Sequence, residues 1–175
     1  MTDEIDLGAG LDAIVGALAE QFPAFKTVAA EDESRQKLQV PALLVQLSEL
    51  EPAPDKDPHT GQFPCHLRVE ARIVMGHRTP QVRREVIKAA GAIAAFVHSN
   101  RFGVTWGEAV ILSVEPDEFS PKADSFDIWR IEWSHHVDLG PSYFVDEGVT
   151  PSQVLTSWSP EIGPPHEAKY KPEGG

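Results

Sequence analysis

Cysteine is almost absent from this chain, which contains one, Cys65, among 175 residues. An internal disulfide framework is therefore excluded, and a lone thiol is typical of proteins made in a reducing compartment. Long apolar runs are also absent, since no stretch approaches the roughly twenty residues that span a bilayer. The acidic start, MTDEIDLGAG, lacks the basic and apolar regions of a signal peptide. We therefore expect a soluble protein made in the cytoplasm.

Positive charge is scarce as well. Fifteen lysines and arginines stand against 27 aspartates and glutamates, which gives a formal net charge of -12. Such a surface repels phosphate backbones and anionic lipids unless a local basic patch is present. The basic residues Arg83, Arg84 and Lys88 form only a short stripe on a predicted helix. Composition therefore disfavours direct binding to nucleic acid or to a membrane.

One stretch, Asp127 to Leu139, organises the rest of the chain. Its sequence, DIWRIEWSHHVDL, alternates between apolar and polar residues with the period of a β-strand. One face of this strand carries Trp129, Ile131, Trp133, His135, Val137 and Leu139. Two tryptophans two residues apart supply a large apolar area that has to be covered. We expect this strand to lie at the centre of a sheet.

The remaining pattern predicts two helices and several further strands. Apolar residues recur at three- and four-residue steps over 7–22, which predicts the first helix. The same steps predict a second helix that runs to about Asn100, with Thr79 as its N-cap and Pro80 at the first helical position. Alternation predicts strands in LQVPALLVQLSELEP and in Cys65 to Met75, paired as an antiparallel hairpin, and a short strand near 109–114. We expect an α+β fold, a two-layer sandwich with two main helices on one face of a mostly antiparallel four- to five-stranded sheet.

Proline marks the predicted boundary of this domain. Six prolines, at positions 141, 151, 160, 164, 165 and 172, interrupt every possible element after Gly140, and the last residues are polar and end in glycine. Such a composition is typical of an extended segment and not of a second core. We predict one α+β domain over 1–140 and a proline-rich, extended C-terminal arm over 141–175.

No motif predicts catalysis or a bound cofactor. His135 and His136 are adjacent on a strand and point to opposite faces, so they cannot hold one metal ion together, and the same geometry separates Cys65 from His66. The acidic loops lack the ligand spacing of a calcium site. We predict no catalytic residues, no cofactor-binding residues and no metal ligands. An arrangement in space of Glu70, His66 or His135, as in a small metal-dependent hydrolase, stays open as an alternative.

Aromatic residues outside the predicted core point instead to protein contacts, because aromatic side chains dominate interface hot spots. Trp158 lies in the polar, proline-broken arm, where it has little core to join. The candidate interface residues come from the central strand, the arm and the loop between the hairpin strands: Trp129, Trp133, Trp158, Tyr143, Phe144, Asp55, Asp57 and His59.

The order of these elements resembles a known family. Over about 7–140 the chain has, in order, an N-terminal amphipathic helix, a PALLVQL strand, a long loop, an LRVEARIVM strand, a TPQ-started helix and a WRIEWSHHVDLG strand. This order resembles that of the tail terminator (tail-completion, minor tail) proteins of long-tailed phages and phage-like contractile particles. In that family loops and termini reach the tube, the sheath and the neck, so the resemblance implies two contact loops, 52–62 and 117–125. The arm after Pro141 is longer than the compact core of that family requires.

The resemblance implies a structural protein of the virion without enzyme activity. It implies a homohexameric ring at the junction of tail and neck, assembled in the host cytoplasm, which caps the tail tube and ends polymerisation. The implied partners are further copies of the chain, the tube protein, the sheath protein of a contractile tail and a neck or connector protein. DNA would pass through the lumen without specific binding, and no cofactor or membrane is involved.

Two other classes of function stay open beside the hydrolase. One is another subunit of the neck or of head completion. The other is an acidic adaptor that binds one partner as a monomer, which a stable monomeric mass would indicate.

Overall fold

The computed structural model describes residues 5–31, 38–117, 126–144 and 155–172. The chain divides into two compact units, Met1–Tyr143 and Phe144–Gly175. No helix in the described ranges is long and apolar enough to cross a membrane. The first unit contains the sheet and both main helices, and it is described first.

The first unit is built from two helices and five strands. In chain order they are α1 (Leu7–Gln21), β1 (Thr27–Ala30), β2 (Ala42–Pro52), β3 (Phe63–Gly76), α2 (Val82–Val97), β4 (Val110–Pro116) and β5 (Phe126–Leu139). The strands lie in the order β1-β2-β3-β5-β4. All neighbours are antiparallel except β1 and β2, which run parallel. The α+β class with a mostly antiparallel sheet is therefore confirmed.

Helix α1 begins at a side-chain cap. The carboxylate of Asp6 accepts a hydrogen bond from the backbone N–H of Ala9 at 3.0 Å, which satisfies one of the unpaired donors of the first turn. The helix ends at Gln21, two residues before Pro23. Ile14 and Leu18 are buried on its inner side. The predicted span of 7–22 is thus one residue too long.

Helix α2 starts later than its sequence predicts. Thr79 and Pro80 lie in a turn, and the residue that precedes the first helical residue, Gln81, has a left-handed backbone (φ 53°) and no side-chain cap. The N–H of Thr79 is used by the turn, where it donates to the carbonyl of Gly76 at 2.9 Å. The prediction of an N-cap at Thr79 was wrong because β3 turns back before the helix begins.

The core lies between the two helices and one face of the sheet. The predicted faces of β5 are confirmed, because Trp133, Ile131 and Val137 are buried opposite Val69, Ala71 and Cys65 of β3. Both helices contribute to the same cluster. They also touch each other through Phe22 and Phe96, whose ring centroids are 5.6 Å apart. Both helices therefore cover one face of the sheet and leave the other face without a covering layer among the described residues.

The second unit is small. Its described part, 155–172, pairs β6 (Leu155–Thr156) with β7 (Lys171–Pro172) and includes a 3₁₀ helix over Pro164–Lys169. The hydroxyl of Tyr170 accepts a hydrogen bond from the backbone N–H of Gly163 at 2.7 Å. Residues 145–154 and 173–175 of the predicted arm lie outside the described residues.

Candidate interaction surface

The uncovered face of the sheet is lined by charged side chains. Because paired residues on neighbouring strands share a face, the register places Arg72 beside Arg130 and Glu70 beside Glu132, with Arg68 beside Ser134. We call this surface the acidic sheet face. We define it by residues in the described ranges: three arginines and the seven carboxylates that form ion pairs with them, Glu31, Glu49, Glu51, Glu70, Glu115, Asp117 and Glu132.

Glu70 joins two arginines that the register sets side by side. Its carboxylate lies 3.0 Å from Arg72 Nη2 and 3.4 Å from Arg130 Nη1, so it offsets the repulsion between them. Arg72 also binds Glu31, and it binds Asp117 at 3.2 Å. The partly shielded positions of these groups make such contacts stronger than pairs in open solvent. Arg72 therefore connects β1, β3 and the end of β4.

Arg68 also connects three strands, on the other side of the face. It donates to Glu132 at 2.8 Å and to Glu51 at 2.6 Å, which links β5 to β2 through β3. The hydrogen bond to Glu132 and then that to Glu51 raise the pKa of the Arg68 guanidinium above its ordinary value. These contacts leave the face with seven carboxylates against three arginines, a net charge of -4.

A cleft of about 300 Å³ lies at one end of this face. It is lined by Glu51, His66, Arg68, Gly107, Glu108, Val110, Leu112, Ser134 and His136. The rings of His66 and His136 are 5.8 Å apart in an edge-to-face arrangement. His136 Nε2 and Asp138 Oδ1 are buried without a hydrogen-bond partner among the described residues and lie 3.7 Å apart. The cleft is thus polar on the sheet side and apolar at Val110 and Leu112.

The described ranges contain no group of three or more histidine, cysteine, aspartate or glutamate side chains arranged to hold a metal ion. The residues of the hydrolase alternative are also separated. His135 lies on the core side of β5, whereas His66 and Glu70 lie on the acidic sheet face. The carboxylate of Glu70 is held by two arginines and by Gln46, whose amide donates to it at 2.9 Å. These three side chains do not form one site.

Cys65 and its sequence neighbour His66 lie on opposite sides of β3. The Cys65 thiol is fully buried against the helices, while His66 is on the opposite face. Burial, and next the negative charge of Asp138, raise the pKa of the Cys65 thiol, which disfavours the reactive thiolate. Cys65 is thus a small packing residue of the core.

The outermost strand of the sheet on this side, β4, pairs only with β5 among the described residues. Three apolar side chains of β4, Val110, Leu112 and Val114, are exposed, and Val110 is 55% exposed. Exposed apolar side chains on an unpaired edge are typical of contact surfaces. A shift in register between Ile111 and Ser113 bulges this strand. The sequence predicts a strand near 109–114, but its pattern does not indicate that this edge is a contact surface.

Trp133, one of the tryptophans among the candidate interface residues, lies in the core, and so does Trp106. Trp133 is 0% exposed and therefore offers no surface to a partner, which corrects its place among the candidate interface residues. Trp106 is buried against Gly10 of α1. Trp129 is partly buried against the same core. The central strand faces the helices on this side, which explains why its aromatic rings are covered within the chain.

The other candidate interface residues are on the surface. Asp55, Asp57 and His59 lie in the loop between β2 and β3, where Pro54–Lys56 forms one 3₁₀ turn. Tyr143 reaches this loop, and its backbone N–H donates to the carbonyl of Thr60 at 2.8 Å. A side chain at Gly61 (φ +79°) would overlap the Tyr143 ring. Tyr143 therefore closes over the loop, although most of its ring stays exposed.

In the second unit, Trp158 is 85% exposed, and Phe144 and Ile162 are exposed as well. The second predicted contact loop, 117–125, lies outside the described residues except for Asp117, which binds Arg72. The signal for the acidic sheet face was present in RVEAR (68–72) and RIE (130–132), where opposite charges alternate on one face. The sequence alone does not give the register that brings these two segments together.

No protein-family model matches the chain, and no curated protein matches its sequence. Three structural features bear on function: the uncovered charged face, the apolar edge of β4 and the exposed aromatic residues of the second unit.

Proposed function

We propose that this chain is a structural subunit that assembles with copies of itself into a ring, of the kind formed by the tail terminator proteins of long-tailed phages and phage-like particles. The ring caps the tail tube, ends its polymerisation and offers a surface to the neck. A homohexamer is the proposed stoichiometry. The proposed location is the junction of tail and neck in the virion.

The observation that carries this proposal is the one-sided sheet. A two-layer domain normally buries one face of its sheet and keeps the other in solvent, but here the uncovered face also continues into an unpaired edge with three exposed apolar residues. Such a surface is suited to contact with another protein chain. The element order on which the resemblance rests, helix, strands, helix, strands, is also the order of the first unit.

The charge of the chain fits passage of DNA better than binding. A net charge of -12 repels phosphate groups, so the inner wall of an acidic ring lets a duplex slide without adhering to it. On this proposal the partners are protein: further copies of the chain, the tube protein, the sheath protein where the tail contracts, and a neck protein. No enzyme activity is proposed.

The experiment that tests the proposal is the mass of the purified chain across a concentration series, by multi-angle light scattering, with negative-stain images of the same samples. We expect a discrete oligomer of about six subunits and ring-shaped particles. A monomer of 19.2 kDa at every concentration would overturn self-assembly and favour the adaptor alternative. Neck and tube roles are separated next, by adding the rings to tube ends and to connectors.

A further inference from the structure

The first unit has surfaces of opposite charge on its two sides. The acidic sheet face lies on the side without helices and has a net charge of -4. Helix α2 covers the opposite side and turns Arg83, Arg84, Ile87 and Lys88 outward. We call these four residues the basic helix surface. They carry three positive charges in a chain that is otherwise strongly acidic.

The charges of the basic helix surface are available to a partner. Lys88 is bound at 2.8 Å by Glu85, one turn earlier on the same helix, and exposed pairs of this kind contribute little. Arg84 donates to the neutral amide oxygen of Gln81 at 3.3 Å. Ile87 is 51% exposed, one turn after Arg83 and Arg84 on the same helix, and supplies an apolar contact. The surface thus combines a residual positive charge with one large apolar side chain.

The acidic sheet face has exposed carboxylates at its two flanks. Its central carboxylates are shielded and shared by the arginines, but the side chain of Glu49 is 60% exposed and that of Glu115 is 48% exposed. Glu49 lies on β2 and Glu115 on β4, with β3 and β5 between them. Val110 and Leu112 add exposed apolar area on the β4 side. A helix that carries positive charges and one apolar residue is complementary to these carboxylates and this apolar area.

One copy of the unit cannot bring these two surfaces together, because they lie on opposite sides of its sheet. We infer that the basic helix surface of one copy packs against the acidic sheet face of the next copy. The contact joins two different patches, so it is heterologous, and it closes a ring when the rotation from one copy to the next divides a full turn. This inference depends on the proposed self-assembly and identifies the surfaces that form it. The occupant of the uncovered sheet face is a second copy of the chain.

The test uses charge reversal on each side of the contact. Arg83→Glu with Arg84→Glu makes the helix surface acidic, and Glu49→Lys with Glu115→Lys makes the flanks of the sheet face basic. Either double variant alone is expected to associate at least tenfold more weakly than wild type, as measured by sedimentation velocity. Mixed in equal amounts, the two variants should assemble again, because the acidic helix of one meets the basic flanks of the other. The mixed assembly should alternate and contain an even number of subunits.

A matched control and a milder pair keep the result interpretable. Lys26→Glu with Arg101→Glu makes the same change in net charge as the arginine pair, at exposed positions outside both surfaces and outside the predicted contact loop 52–62, and should leave association unchanged. Glu49→Gln with Glu115→Gln removes charge without adding a cation beside Arg130, and it should weaken association less than the lysine pair. Circular dichroism checks that each variant is folded. Association of wild type should also weaken as salt is raised.

The outcomes separate this interface from the proposed function. If wild type and the arginine variant assemble equally well, the proposed interface is wrong, but the proposed ring is not contradicted. Failure of the mixture to assemble when both variants are folded overturns the complementary contact. Wild type that stays monomeric at all concentrations overturns self-assembly, and the interface with it.

Discussion

The indole N–H of Trp133 donates a hydrogen bond to Nε2 of His135 at 3.0 Å, between two fully buried side chains on one face of β5. Because the indole can only donate, this nitrogen of His135 must be the acceptor. The proton of the neutral ring is then on Nδ1, which donates to the carbonyl of Gly107 at 2.7 Å. His135 therefore fastens the loop between α2 and β4 to the centre of the sheet. It is structural, as both ring nitrogens are used.

This arrangement predicts a loss of stability in mild acid. Burial lowers the pKa of the His135 ring, and the hydrogen bond to Gly107 opposes this shift to a smaller extent. A second proton would have to bind Nε2, where it would displace the indole donor. Above the ordinary pKa of about 6.5 the His135 ring is neutral in both the folded and the unfolded chain, so its titration does not change the free energy of unfolding. Below it the unfolded chain binds the proton first, and the free energy of unfolding falls by up to about 1.4 kcal/mol per pH unit.

Urea denaturation of wild type and His135→Gln between pH 7.5 and 5.0 measures this effect. The variant is expected to be less stable at all pH values but to have the shallower slope below pH 6.5, since glutamine does not titrate. The exposed histidines contribute equally to both proteins and cancel in the difference. Parallel slopes would show that His135 accepts a proton in the folded protein as easily as in the unfolded one.

The contact between Gly10 and Trp106 predicts opposite effects of one substitution at two positions of α1. A methyl group at Gly10 would overlap the Trp106 ring, which is itself buried, so Gly10→Ala should destabilise the fold by about 1 to 3 kcal/mol. A methyl group at Gly16 would meet nothing within 4 Å, so Gly16→Ala should stabilise the helix by about 0.5 to 1 kcal/mol.

Thermal unfolding of the two alanine variants beside wild type checks both signs at once. The matched pair removes the general effect of a glycine in a helix, since both variants gain the same helix propensity. Equal shifts in melting temperature would show that the Trp106 ring can move aside without cost. A lower value for Gly10→Ala alone would establish that α1 and the loop between α2 and β4 are packed as described.

The sequence predicts the elements of this fold better than their ends or their partners. Alternation in 127–139 identified the buried face of β5 correctly, because the strand is long and each apolar residue on that face meets the core. The N-cap at Thr79 failed, because a turn that closes β3 competes for the same residues. Local patterns cannot reveal such competition, since it depends on where the preceding strand stops.

The candidate surfaces were harder to predict, because exposure depends on contacts between distant segments. Trp106 and Trp158 both lie outside strands and helices. The proline-broken sequence around Trp158 indicates exposure, but nothing local indicates that Trp106 is buried. Trp106 is buried on α1 and Trp158 is 85% exposed. Likewise, RVEAR and RIE each show alternating charge, but only the pairing of β3 with β5 makes them one charged face.

The position of Arg72 predicts a loss of stability when the charge network is broken. Arg72→Ala leaves Glu31, Glu70 and Asp117 close together without their shared cation. About a quarter of the arginine side chain is exposed, so solvent screens part of the repulsion. We expect a decrease of about 1 to 3 kcal/mol in the free energy of unfolding, the range for hydrogen bonds to charged groups.

Arg101→Ala is the control for this substitution. Arg101 also forms an ion pair, with Glu108, but the pair is 3.5 Å long and both side chains are more than half exposed. Its removal should change the free energy of unfolding by less than about 1 kcal/mol, as for other surface pairs. Guanidinium screens ion pairs, so urea is the denaturant of choice. Equal losses in the two variants would mean that the network around Arg72 contributes no more than a surface pair.

Trp158 and Trp133 predict opposite consequences for fold and assembly. Trp158→Ala removes a large apolar side chain that is 85% exposed, so the folded chain should keep its melting temperature. Trp133→Ala empties the centre of the core and should lower the free energy of unfolding by about 3 to 5 kcal/mol.

If Trp158 contacts a neighbouring copy in the proposed ring, its removal weakens association, as aromatic anchors at interfaces commonly contribute more than 1 kcal/mol. Sedimentation velocity on folded Trp158→Ala, with Ile162→Ala as a second exposed apolar position in the same unit, measures that loss. Association as tight as that of wild type would remove the second unit from the contact and leave the sheet face and helix α2 to form it alone.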